Sequence, residues 1–184
     1  MSYGFSFNRR HCSEFGIVMQ SVDRTVLPAK RRNKYEILGR DGSFYAESSN
    51  YIEREIRVRI LFEGSTFTLE ALRLRIREIA KWLSAESVPL VFDDEPGKAY
   101  TASIYTGISL EQLRVFGECE LTFLCQPFAE SAQYITETKD VLESNDAMTV
   151  QVSGTQDTPC IITIKNIGTK DVRGITIQRK AEKL

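Results

Sequence analysis

Few groups in this chain could do chemistry. Its one histidine, His11, stands beside the first of four cysteines, Cys12. Such a neighbour pair suggests a thiolate with an imidazole base, but adjacent residues in an extended segment point to opposite faces and do not meet. A single histidine also removes most zinc, triad and imidazole acid–base schemes. The densest acidic run, Asp93-Asp94-Glu95, offers the oxygen ligands that a divalent cation takes. No second converging set accompanies it and Pro96-Gly97 follows, so it reads as an acidic hairpin turn. Lys30-Arg31-Arg32, with Lys34, could touch phosphate. Lacking interleaved aromatics and flanked by Pro28 and Asn33, that run reads as a solvated loop. Arg54, Arg57 and Arg59 most simply pair with Glu53, Glu55 or cross-strand partners, the alternative being contact with another subunit. No glycine-rich phosphate loop, G-x-S-x-G or H-E-x-x-H occurs. The chain is therefore expected to carry no catalytic, cofactor-binding or metal-binding set, and an enzyme is not expected.

Composition narrows the class further. With 184 residues, 42% of them apolar and 27% charged, the chain can fill a core and is not a disordered tail. A net charge of −1 excludes strong bulk attraction to nucleic acid. No run of about 18 apolar residues exists to span a bilayer, and Met1-Ser-Tyr-Gly-Phe5 does not open a signal peptide. Residues 1–80 hold 14 basic and 10 acidic side chains, whereas residues 81–184 hold 10 and 15; chance accounts for such an asymmetry most simply, the alternative being a polarity that helps head-to-tail packing. Cys119 and Cys125 share parity on one expected strand, about 20 Å apart and too far for a disulfide, so the thiols are expected reduced.

The elements that position these residues follow from periodicity. Phe15 to Val22 reads as a strand, and Tyr35 to Leu38 as another before the Asp41-Gly42 hairpin signal. Ile52 to Phe62 is the clearest strand. Ile52, Ile56, Val58, Ile60 and Phe62 share one face and Glu53, Glu55, Arg57 and Arg59 the other, with Arg54 and Leu61 breaking the pattern. Leu69, Leu72, Ile76, Ile79, Ala80 and Leu83 recur at helical spacing, with Thr68 as N-cap and Trp82 placed to anchor the last turn to a sheet. Leu90–Phe92, Ala99–Ile108 and Leu113–Cys125 read as further strands. After a polar break from about 131 to 147, Met148–Val152, Cys160–Lys165 and Val172–Gln178 read as three short strands of a small unit, marginal alone.

In this order the residues resemble a known family. Phe5-Ser-Phe7-Asn8 ahead of Ser13-Glu-Phe15-Gly16-Ile17, then Gly39-Arg-Asp-Gly42, Tyr51-Ile52 and Ile79-Ala-Lys-Trp82-Leu83, are similar to motifs of siphophage distal tail proteins. So are Leu90-Val-Phe-Asp-Asp-Glu-Pro96 with Tyr100-Thr-Ala102, and Leu121-Thr-Phe123 with Cys125 and Pro127. The resemblance covers roughly residues 1–130. It implies an α+β, mainly β fold: a tail-tube-like β-sandwich with one helix, over residues 1–130, that forms a ring. Residues 131–184 then resemble the start of a galectin-like C-terminal β-sandwich, which stops before completion, as in a truncated or reduced member.

The role implied is structural. Such proteins form a homo-hexameric ring at the virion tail tip, below the major tail protein and above a tail-associated fibre or lysin protein, with receptor-binding proteins in some cases. DNA passes the lumen only in transit, no membrane or cofactor is involved, and the chain is made in the bacterial cytoplasm from a phage or prophage. Arg54, Arg57, Arg59, Lys30, Arg31 and Arg32 become candidate subunit-interface residues. The strand Ile52–Phe62 is expected nearest the lumen or the neighbour, and the loop from Val26 to Lys34 is expected to be an arm. The alternatives are a related tail-tube or secretion-tube ring protein and a ligand-binding β-domain.

Overall fold

A computed structural model of the chain describes residues 4–62, 69–105, 118–141, 146–151, 154–155 and 160–178. The elements run β1 (Phe5–Phe7), β2 (Arg10–His11), a 3₁₀ turn (Cys12–Phe15), β3 (Ile17–Arg24), β4 (Lys30–Glu36) and β5 (Ser43–Tyr51). They continue with β6 (Arg54–Phe62), α1 (Leu69–Leu83), β7 (Val88–Phe92), β8 (Lys98–Ile104), β9 (Glu118–Cys125) and β10 (Glu130–Ser131). Among the described residues, eight strands form one antiparallel sheet in the order β2-β1-β7-β8-β9-β6-β3, with β10 beside β8, while β4 and β5 form a separate two-stranded sheet.

Period-two alternation decides which face of β6 is core. Ile56, Val58 and Ile60 are buried and stand opposite Phe123, Leu121 and Cys119 of β9. On the other side, Ile17 and Met19 of β3 stand opposite Phe62 and Ile60. A bulge between Met19 and Ser21 adds a residue to this edge strand. Bulges of that kind roughen an edge against unwanted pairing.

Phe5 and Phe7 of β1 are fully buried and lie in the middle of the core, a strand that residue patterning did not single out. The chain reverses after it through Asn8 and Arg9, both left-handed (φ 51° and 62°), in a two-residue connection to β2. Two consecutive positive φ values are what a twisted hairpin requires. A third left-handed residue, Gly16 (φ 68°), ends the 3₁₀ turn and delays β3 to Ile17, two residues beyond the strand start expected at Phe15.

Helix α1 occupies the expected residues. Ile76, Ile79, Trp82 and Leu83 are its buried stripe, whereas Ala80, expected on that stripe, is exposed. Thr68 lies outside the described residues. Trp82 does anchor the helix: its ring stacks on Phe15 at 4.2 Å and its Nε1 donates to the carbonyl of Phe7 at 2.7 Å. Strand β8 is described to Ile104 and β9 from Glu118, so the expected continuations through 108 and from 113 fall partly outside the described residues.

Contacts divide the chain into a unit ending at Ile135 and a second beginning at Thr136. Within the second, the segments expected as three strands are not strands where they are described, and Ile161, Ile164, Ile167, Val172 and Ile175 are exposed. Val152 lies outside the described residues. An apolar segment becomes a strand only where a partner supplies the ladder hydrogen bonds.

Candidate assembly interface

The cationic run that reads as a loop is a strand. Lys30 stands opposite Tyr51, Arg32 opposite Glu47, Lys34 opposite Tyr45 and Tyr35 opposite Phe44. Lys has weak strand preference, so the ladder to the partner strand is what makes this segment extended. The connection between the strands, residues 37–42, holds Gly39 and Gly42 at positive φ (80° and 84°), as the Gly-Arg-Asp-Gly turn demands.

Every residue of β4 is exposed. So are Ile37, Leu38, Phe44 and Tyr45. The arm joins the body at its base, where the amide of Ile52 donates to the carbonyl of Ala29 at 2.9 Å and Tyr51 meets Phe128 edge-on at 4.9 Å. A two-stranded hairpin standing in water is marginal by itself, and this one displays aromatic rings as well as cations.

The second surface is the outward face of β3, β6 and β9. Cross-strand neighbours there are Arg57 with Asp23 and Thr122, and Arg59 with Ser21 and Glu120. Arg57 is paired with Glu55 at 3.2 Å, and Gln20 donates to Glu118 at 3.2 Å. Arg57 and Arg59 thus share a face, but Arg54 does not join them. Its even number puts it on the core side of β6, where its guanidinium lies 5.4 Å from the Tyr100 ring centroid and donates to the carbonyls of Pro127 (2.8 Å) and Thr25 (3.2 Å). Arg54 is therefore a tie at the end of the sheet, and grouping it with Arg57 and Arg59 is corrected by the pleat.

The acidic turn divides its carboxylates among separate partners. Asp94 and Glu95 pair with Arg24, whose guanidinium covers the Phe92 ring at 4.7 Å. Asp93 instead accepts from the Gly4 amide at 2.8 Å and lies 3.2 Å from His11 Nε2. His11 caps the 3₁₀ turn. The Ser13 amide and hydroxyl both meet its Nδ1, at 3.3 and 2.7 Å, and Glu14 accepts from the His11 amide. With Nδ1 accepting, Nε2 carries the proton toward Asp93.

Residues 13, 11 and 93 thus have the order of a Ser–His–Asp relay. Yet the ring is 35% and the carboxylate 38% exposed, and the serine hydroxyl closes a local cap. Both side chains reach solvent, whereas an activated serine depends on a preorganised, water-excluded site. Its action is to clasp the start of β1 to the turn after β7. Sequence spacing missed it because the partners are 82 residues apart; the readable fragment is Glu14 three residues after His11, a capping box. Hydrogen bonding from Arg10, then from the His11 amide, holds the Glu14 carboxyl below its ordinary range. Burial pushes the thiols of Cys12 and Cys119 up, and that of Cys125 to about 12.

The sequence signature of the phage tail protein RIFT-related domain matches residues 11–125. This chain belongs to that family. The fold of this phage tail protein is also similar to the crystal structure of Dit from SPP1, described as a paradigm of the hub adsorption apparatus of phages that infect Gram-positive hosts. The likeness has a TM-score of 0.59 at 24% identity, and it covers 71% of this chain and 52% of the other, about half of that protein's length. No curated protein matches the sequence. Among the described residues of the phage tail protein, no helix is long and apolar enough to cross a membrane.

Proposed function

We propose that this chain is the distal tail protein of a siphophage and that it acts structurally, without catalysis. Copies close head to tail into a hexameric ring at the tip of the tail tube, under the major tail protein. The ring carries the tail-associated fibre or lysin protein, with receptor-binding protein attached, and DNA crosses its lumen in transit. Residues 1–130 form the ring, and residues 131–184 begin a galectin-like domain at its periphery. The observation that carries this reading is the family match across the sheet domain joined to a fold like that of a hub protein. Two features of the chain support it. An exposed hairpin arm and a charged sheet face are different surfaces, as a heterologous, closing contact requires. A net charge of −1 also suits a passage that does not hold phosphate tightly.

Light scattering after size exclusion, across a concentration series, tests the ring, and pull-down on a tail-tube protein tests its position. A discrete hexamer that captures the tube protein is expected. A chain that stays monomeric and does not bind tube protein refutes the reading, and self-stacking into long tubes favours a tube protein instead.

A further inference from the structure

Asp41-Gly42 is the one place in the chain where an aspartate or asparagine precedes a glycine. It lies in the connection between β4 and β5, and both residues are exposed. The Asp41 carboxyl and the Gly42 amide enter no hydrogen bond or ion pair with a described residue. Even a Cβ built on Gly42, which holds φ 84°, would meet no atom within 4 Å, so nothing is packed against that amide. We propose that Asp41 is a covalent modification site, at which its side chain and the Gly42 amide close to a succinimide that opens to isoaspartate.

The reaction needs only water. The Gly42 nitrogen bonds to Cγ of Asp41, and the amide hydrogen leaves with the carboxyl hydroxyl as water. Water then adds to one of the two imide carbonyls. Addition at Cγ restores aspartate. Addition at the main-chain carbonyl of Asp41 leaves the chain running through Cβ and Cγ, with the former main-chain carbon as a free carboxylate. A side chain on the following residue crowds this attack, and glycine has none. Other aspartates lack that freedom. Asp23, Asp140 and Asp171 precede Arg24, Val141 and Val172. Asp93 accepts from the Gly4 amide, and Asp94 and Asp146 pair with Arg24 and Lys139. The β4–β5 ladder begins directly after Gly42, with Ser43 opposite Glu36. The turn sets hairpin register, so one added main-chain atom at position 41 falls beside the first rung and loosens the ladder.

The test ages the full chain at physiological temperature and near-neutral pH in water enriched in heavy oxygen. Beside it stand Asp41→Glu, whose longer side chain cannot close the same ring, and the wild type unfolded in urea. Isoaspartate is read by methyl transfer from radiolabelled S-adenosylmethionine with an isoaspartate-specific methyltransferase, and by mapping the tryptic peptide from Asp41 to Arg54. Methyl label and one heavy oxygen are expected in that peptide from the folded wild type, and both are expected to be lost in Asp41→Glu. Amide hydrogen exchange across β4 and β5 should then be faster in the aged chain than in the fresh one, and unchanged exchange would refute the loosening of the ladder. A folded wild type that stays unlabelled while the unfolded chain labels overturns the proposal, because the turn then holds the two groups apart. Label that falls mainly on another aspartate, or that persists in Asp41→Glu, overturns it as well.

Discussion

Trp82 is the point at which helix, first strand and 3₁₀ turn meet, and its replacement separates packing from hydrogen bonding. The indole is 5% exposed, stacks on Phe15 at 4.2 Å and lies 6.0 Å from Phe5 and 6.1 Å from Phe7. Its N–H donates to the Phe7 carbonyl at 2.7 Å. Trp82→Ala removes ring and donor together, and truncation of a buried aromatic costs about 3–5 kcal/mol. Trp82→Phe keeps most of the stacking but withdraws the donor from a buried carbonyl, which costs about 1–3 kcal/mol. Against a typical domain stability of about 5–15 kcal/mol, the alanine variant should be near the edge of folding and the phenylalanine variant well inside it. Urea denaturation followed by far-ultraviolet circular dichroism measures both, since Trp82 is the sole tryptophan and its loss removes the fluorescent probe. A cost below about 1 kcal/mol for Trp82→Ala would refute the packing argument. A Trp82→Phe variant as stable as the wild type would refute the separate role of the indole N–H.

Four further outcomes follow from particular contacts. Gly4→Ala places a Cβ 2.6 Å from His11 Nε2 and 3.0 Å from Asp93 Oδ2, so the ring must move; a loss of about 1–3 kcal/mol in urea denaturation is expected. Arg9→Gly should stabilise by about 0.5–1 kcal/mol, because Arg9 holds φ 62° in a turn where glycine is unstrained, and a lowered midpoint would contradict this. Thiol titration of the native chain with a chromogenic disulfide at about neutral pH should label exposed Cys160 quickly. Buried Cys12, Cys119 and Cys125 should react only on denaturation, and fast labelling of a second thiol would argue against their burial. The Glu14 carboxyl lies below its ordinary value of 4.5, chiefly through its Arg10 hydrogen bond, so its support is present above that value and is lost as pH falls through the lower folded one. Acid titration of stability should accordingly flatten at its low end in Glu14→Gln, and an unchanged slope would count against the pairing.

Much of this protein is written in local pattern. The alternation of Ile56, Val58 and Ile60 with Arg57 and Arg59 determined both the strand and its core face, because side chains of a strand alternate whatever surrounds it. The 3.6-residue recurrence of Ile76, Ile79 and Leu83 determined the helix in the same way. The ordered motifs from Phe5 to Pro127 marked the family, and the shared fold follows. Three features depended on partners distant in sequence. Phe5-Ser-Phe7 is too short to announce a strand, and it becomes the centre of the core only because β7 and Trp82 close over it. Lys30 to Glu36 is polar along its length and extends only because β5 pairs with it. Arg54 carries the same charge as Arg57 and Arg59, yet the pleat turns it inward to Tyr100 and to carbonyls of Thr25 and Pro127. Among the described residues of the second unit, the apolar positions expected on strands are exposed and no strand forms. A side-chain period is a property of the chain itself, whereas a ladder hydrogen bond belongs to two segments at once, and the fold alone decides which segments meet.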